Sequence, residues 1–244
     1  MPPNNPLTSW SAVLFDLDGV LTPTAEVHRL AWAETFAPLF ETAGVAPYTE
    51  RDYFVHLDGK PRYDGVADLL ASRGIELPWG TPSDGADQLT VCGIGNRKNE
   101  MFSRVLARDG VKPFPGSVRV LDDLQAAGVP IAVVSSSRNA EAVLQAARIR
   151  DRFPVVVDGV VAAAEGLAGK PDPATYLDAA RKLGVPPQRA VVVEDAVAGV
   201  RAGVAGGFGL VVGVDRGISD EDLAAAGAHV VVGDLGELAT EGAR

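Results

Sequence analysis

The sequence predicts an α/β fold, a doubly wound and mostly parallel sheet, with one inserted α-helical cap domain. Three observations carry this. Short β-branched, apolar runs recur without polar alternation. Helical stretches separate them. One long helical segment, residues 26–110, interrupts the alternation just after the first run.

The runs are residues 12–15, 131–134, 155–157, 190–193, 210–212 and 230–232. Strands covered on both faces of a parallel sheet read as continuous apolar runs of this kind. The intervening helices are expected at 117–127, 140–147, 173–183 and 196–205. In the first, Val118, Val120, Leu121 and Leu124 fall at helical spacing and Gly128 follows as a C-cap. Strand–helix–strand alternation is the pattern of a doubly wound domain. Residues 26–110 contain helical segments, clearest at 26–40, 61–73 and 87–108, and a Pro- and Gly-rich loop at 74–85. The organisation expected is a disordered tail at 1–9, an α/β core at 10–25 and 111–244, and a helical cap at 26–110. Hinges are expected near 22–26 and 109–115.

Bulk composition narrows the function. The 244 residues carry 22 basic and 32 acidic side chains, a net charge of −10. That balance argues against a nucleic-acid-binding surface, which needs clustered Lys and Arg. No apolar run is long enough for a bilayer span, so no membrane partner is expected. The N-terminal residues do not read as a signal peptide. The single cysteine, Cys92, permits no internal disulfide and is expected to be buried or half-buried. A cytoplasmic protein, monomeric, fits these features.

Ligands of doubly wound sheets gather at the carboxyl ends of the strands. After the first run come Asp16, Leu17, Asp18 and Gly19; after the second, Ser135, Ser136, Ser137, Arg138 and Asn139. Gly169, Lys170, Pro171 and Asp172 open a later helix, and Glu194 and Asp195 close the fourth run. Four carboxylates on one edge repel each other and call for a cation. Hard oxygen ligands without His or Cys favour Mg²⁺, with Asp16, Asp18, Glu194 and Asp195 as candidate ligands. Asp16 can attack phosphorus to give an aspartyl-phosphate. Asp18 can move the proton. Lys170 offsets charge on the transferring group, and Ser135 with amides at the next helix start holds its oxygens. Singly, each has a plainer reading: a solvated loop, a helix cap, a surface lysine. Their joint order after successive strands points to phosphoryl transfer.

With those four motifs in order and suitably spaced, the sequence resembles the haloacid dehalogenase superfamily over about residues 10–235. The insertion is similar to the mobile helical cap of one of its subfamilies. Several cap residues resemble the β-phosphoglucomutase-like branch. Members of that branch exchange β-glucose 1-phosphate and glucose 6-phosphate through a bisphosphate. The resemblance implies a small phosphosugar substrate. Thr24 and His28 match a hinge segment that gates proton transfer. Gly59 and Arg62 match a loop holding the phosphate not being transferred, and Lys98 and Asn99 match sugar contacts. Ser137, Arg138 and Asn139 match a Ser-Lys-Asn contact on the core side, where the family usually has Lys at position 138, and Ser136 beside them is a further candidate substrate contact. The isomerase reading stands beside a sugar-phosphate phosphatase with the same nucleophile and a non-catalytic phosphosugar sensor. Trp32 is expected to pack only.

Overall fold

The computed structural model describes residues 5–58, 60–217 and 220–240. In chain order, strand β1 (Ala12–Phe15) is followed by helices α1 (Thr24–Ala43), α2 (Glu50–Asp52), α3 (Arg62–Ser72) and α4 (Val91–Asp109). Then come α5 (Pro115–Ala126), β2 (Ile131–Val134), α6 (Ala140–Ala146), β3 (Val155–Val157), α7 (Gly159–Glu165) and α8 (Ala174–Leu183). The chain continues through β4 (Ala190–Glu194), α9 (Val197–Ala205), β5 (Leu210–Val214), α10 (Asp220–Ala225) and β6 (Val230–Val232). It divides into two compact units, Met1–Pro23 with Val111–Arg244, and Thr24–Gly110.

In the first unit a six-stranded sheet runs in the order β3-β2-β1-β4-β5-β6, every pairing parallel. All four residues of β1 and all five of β4 are buried, which is why neither strand alternates in sequence. Ala12 and Leu14 pack with Val192, Tyr176 and Val200 on one face. The strand order reverses about β1, and such a reversal opens a crevice at the carboxyl ends of β1 and β4.

Residues 6–9 depart from the disordered tail expected. Pro6–Ser9 form a 3-10 turn with Leu7 buried. Its cap is Asn5, whose Oδ1 accepts from the Leu7 N–H at 2.9 Å. Proline at the first turn residue is pre-set for this geometry.

The second unit is helical. Trp32, Phe36 and Phe40, one turn apart on α1, join Leu69, Val91 and Ile94 in its core. Phe36 stacks with Tyr48 at 6.0 Å between ring centroids. Helix α1 begins at Thr24, so residues 24 and 25 group with the cap rather than with the core as expected. Helix α4 begins at Val91, capped by the Thr90 hydroxyl accepting from the Gly93 N–H at 2.9 Å, not at residue 87. Cys92 is buried.

A half-buried ion pair ties this unit together. Arg73 donates to Asp52 at 2.6 Å, and the Thr49 N–H and hydroxyl donate to the same oxygen at 2.8 and 2.9 Å. Burial opposes ionisation of Asp52, but the bonds from Arg73 and Thr49 outweigh it and hold the carboxyl below its usual range. A folded value below the unfolded one gives stability that is present above about pH 4 and lost as the pH falls through the folded value. Asp52→Ala is expected to destabilise this unit by about 1–2 kcal/mol at neutral pH, since it removes the charged partner of a half-buried Arg73 and the acceptor of the Thr49 cap. The difference from wild type in urea titrations should shrink below about pH 4.

Candidate active site

The site grows from the ends of β1 and β4. The Asp16 N–H donates to the Val193 carbonyl at 2.9 Å, so Asp16 leaves the sheet level with Glu194. Beyond Asp16 the chain wraps on itself. Leu21 N–H, Thr22 N–H and the Thr22 hydroxyl all donate to the Leu17 carbonyl, and Gly19 N–H donates to the Thr22 carbonyl at 2.7 Å. Gly19 has φ +86°, and a Cβ there would overlap the Asp195 carboxylate. Glycine is therefore demanded twice, by the backbone and by the approach of the two acidic loops. Arg216, after β5, donates to the Gly19 carbonyl at 2.8 Å and fixes the turn from outside.

Lys170 lies in the middle, 3% exposed. Its ammonium donates to Asp16 Oδ1 at 2.5 Å, Glu194 Oε1 at 2.6 Å and the Val134 carbonyl at 3.0 Å. Burial alone would drive its proton off, but Asp16 and Glu194 more than reverse that, so it stays charged. Burial pushes the Asp16 carboxyl above the usual carboxylate range against the pull of Lys170, with Glu194 and Asp18 adding to the rise. Full ionisation of Asp16 therefore calls for more positive charge than one lysine supplies.

Ligand oxygens of Asp16, Glu194 and Asp195 lie within 4.8 Å of one another, all three residues buried. Three carboxylates against one ammonium leave two charges unbalanced, which suits a divalent cation bound by hard oxygens. The donors are not equivalent. Glu194 Oε1 accepts from Lys170 and from the Tyr176 hydroxyl at 3.0 Å, while Oε2 accepts from the Asp195 and Ala196 N–H groups at 3.0 Å each. A carboxylate has about four lone-pair positions, and here all are filled. Glu194, expected as a ligand, lies within this carboxylate group and also braces Lys170. Asp18, also expected as a ligand, stands outside this carboxylate group. It is half-buried and accepts a long bond, 3.5 Å, from Ser135 Oγ.

Ser135 is buried at the end of β2 and accepts from the Ser137 N–H at 3.1 Å; Ser137 Oγ in turn accepts from the Asn139 N–H at 3.1 Å. Ser136 and Arg138 lie on the same turn leading into α6. The remaining expected residues belong to the helical unit. His28 and Lys98 contact each other through Nδ1 and Nζ. The Lys98 ammonium sits 5.0 Å from the ring centroids of both Trp32 and Phe102. Arg62 donates to Asn99 Oδ1 at 2.7 Å, and Thr24 opens α1. Gly59 lies outside the described residues. Trp32 packs in the helical core as expected, while Tyr176 was passed over; an aromatic on an apolar helix face carries no signal of its polar or cationic neighbour.

A doubly wound sheet with a buried carboxylate–lysine cluster at its switch point defines a class of α/β enzymes. The chain belongs to the haloacid dehalogenase-like hydrolase family, whose pattern matches residues 10–207. It is 48% identical to a β-phosphoglucomutase of Mycobacterium bovis over 238 residues, 93% of this chain and 90% of that protein. The crystal structure of a β-phosphoglucomutase from Clostridium difficile superposes with a TM-score of 0.76 at 26% identity, covering 94% of this chain and 93% of that one. CbbY from Rhodobacter sphaeroides, solved as a mutant in complex with xylulose-(1,5)bisphosphate, superposes with a TM-score of 0.73 at 28% identity, covering 93% and 96%. Among the described residues no helix is long and apolar enough to cross a membrane.

Proposed function

We propose that this enzyme is a magnesium-dependent phosphosugar mutase that interconverts β-glucose 1-phosphate and glucose 6-phosphate through an aspartyl-phosphate on Asp16. The observation that carries the reading is the Asp16–Lys170–Glu194 cluster, in a chain 48% identical to a β-phosphoglucomutase over 93% of its length.

In this reading a carboxylate oxygen of Asp16 attacks phosphorus, the sugar oxygen leaves, and the second half-reaction returns the phosphoryl group to the other sugar hydroxyl. Asp18, two residues on, gives a proton to the leaving oxygen and takes one from the attacking hydroxyl. Lys170 has spent its three donors on Asp16, Glu194 and Val134. It therefore exchanges one of them, the 3.0 Å bond to the carbonyl being the longest, for an oxygen of the transferring group. Ser135 and the amides of the following turn hold the remaining oxygens. Asp16 and Asp195 would hold Mg²⁺, which supplies charge neutralisation at the transferring group. Arg62 holds the phosphate that is not transferred, with Asn99 orienting its guanidinium, and Lys98 and His28 serve the sugar and the gating of Asp18. Arg138 keeps the charge of the family's lysine with a different hydrogen-bonding geometry.

Incubation with β-glucose 1-phosphate, Mg²⁺ and a trace of the bisphosphate should give glucose 6-phosphate without stoichiometric inorganic phosphate. Free phosphate as the main product would instead make the protein a phosphatase. Arg62→Ala is expected to lower kcat/KM for isomerisation by about 10–100-fold, the worth of a charge-assisted phosphate contact. Hydrolysis of an aryl monophosphate should fall much less. Equal losses on the two substrates would remove Arg62 from the second phosphate.

A further inference from the structure

The motif pattern leaves Tyr176 among ordinary core aromatics, yet its surroundings are polar where it matters. Its side chain is 0% exposed, on the helix that follows Lys170. The ring meets Phe208 edge to face at 6.0 Å, which accounts for its packing. The hydroxyl is not needed for that packing, and burying it costs free energy unless it is bonded. It donates to Glu194 Oε1 at 3.0 Å, the oxygen that also receives Lys170 at 2.6 Å. The Lys170 ammonium stands 4.9 Å from the centroid of the same ring. One side chain thus touches both Asp16's lysine and that lysine's other carboxylate.

Oε1 divides its acceptor strength between two donors. With the tyrosine hydroxyl removed, Glu194 would pull harder on Lys170, and the ammonium would follow it away from Asp16. The ring face limits the same movement from below. The opposite oxygen of Glu194 is pinned by two backbone N–H groups, so the carboxylate cannot rotate to compensate.

We propose that Tyr176 is a positioning residue for phosphoryl transfer, apportioning the Lys170 ammonium between Glu194 and Asp16 through its hydroxyl on Glu194. This rests on the phosphoryl-transfer reading of the site. It predicts a defect in transition-state stabilisation, not in substrate or metal binding.

The test is Tyr176→Phe in the full-length protein with Mg²⁺. The expected result is a kcat about tenfold lower, the order of one hydrogen bond to a charged group, with KM within about twofold. A planar magnesium fluoride mimic of the transferring phosphoryl group should bind about tenfold more weakly, inorganic phosphate equally well, and half-saturation by Mg²⁺ should not move. In a Glu194→Gln background, adding Tyr176→Phe should cost less than about twofold, because the effect passes through Glu194. A lower melting temperature with unchanged kcat overturns the proposal, as does full additivity in the cycle or a shifted Mg²⁺ dependence. If Tyr176→Phe does not fold, 3-fluorotyrosine incorporated at position 176 alone keeps the ring and the hydroxyl while changing the hydroxyl's donor strength; an unchanged kcat there also overturns it. A wild-type protein that transfers no phosphoryl group overturns the underlying reading, and this inference with it.

Discussion

Asp16→Asn is expected to lower turnover by at least about 10⁴-fold, the scale on which enzymes lose a covalent nucleophile. The substitution keeps shape and leaves an oxygen for Lys170, so the fold should survive. What disappears is the anionic oxygen that attacks phosphorus. Labelling with ³²P-sugar phosphate should give a hydroxylamine-sensitive phosphoprotein from wild type and none from the variant. Undiminished turnover would remove Asp16 from the chemistry. Loss of labelling with normal melting would place the defect in catalysis alone.

Lys170→Met has the second largest expected effect, and it falls on stability as well as rate. The methionine is close in length but carries no charge. Asp16, Glu194 and Asp195 would then crowd together with no ammonium between them. Removing one partner of a buried pair costs about 3–5 kcal/mol, because the other charge is left uncompensated. Burial already holds the Asp16 carboxyl above its usual range. A carboxyl with a raised folded value favours the folded state below that value and disfavours it above. The deficit, read by urea denaturation in EDTA, should therefore shrink as the pH is lowered from neutrality. Turnover should fall by about 10²–10³-fold, the usual loss when one charge-stabilising donor is removed. A variant as stable as wild type at neutral pH would contradict the picture of a charge-balancing lysine.

The strands were legible in the sequence because both faces of the sheet are covered, which leaves runs such as Ala12–Phe15 with no polar alternation. The inserted helices were legible because Trp32, Phe36 and Phe40 recur at one-turn spacing. Short elements were not. Helix α2 has a Thr49-x-x-Asp52 capping box, a readable sign, but its three residues are too few for periodicity, and the π-turn Tyr53–Leu57 that follows depends on tertiary packing. At the site, the reading found the acids and the lysine but could not rank them. Whether Glu194 binds a cation or braces Lys170 depends on which donors fill its lone pairs, and those come from Lys170, from Tyr176 and from two amides placed by the fold. The order of Asn5–Ser9 was hidden for a similar reason. Pro and Asn read as tail composition until Asn5 caps the turn and its amide donates to Asp123 at 3.2 Å.

The placement of β1 bears on how the chain is made. Ala12 pairs with Ala190, and 190 − 12 = 178 residues separate them. At about 5–20 residues per second, the ribosome needs about 9–36 s to cover that distance. During this interval a wholly apolar central strand waits for its second neighbour, β4, while the contiguous segment Thr24–Gly110 already has all its own residues in hand. Such long-range pairing slows folding and exposes apolar surface. Nascent chains stalled before Ala190 are therefore expected to yield a protease-resistant helical fragment and an accessible N-terminal strand. Protection of that strand before β4 emerges would contradict this order of assembly.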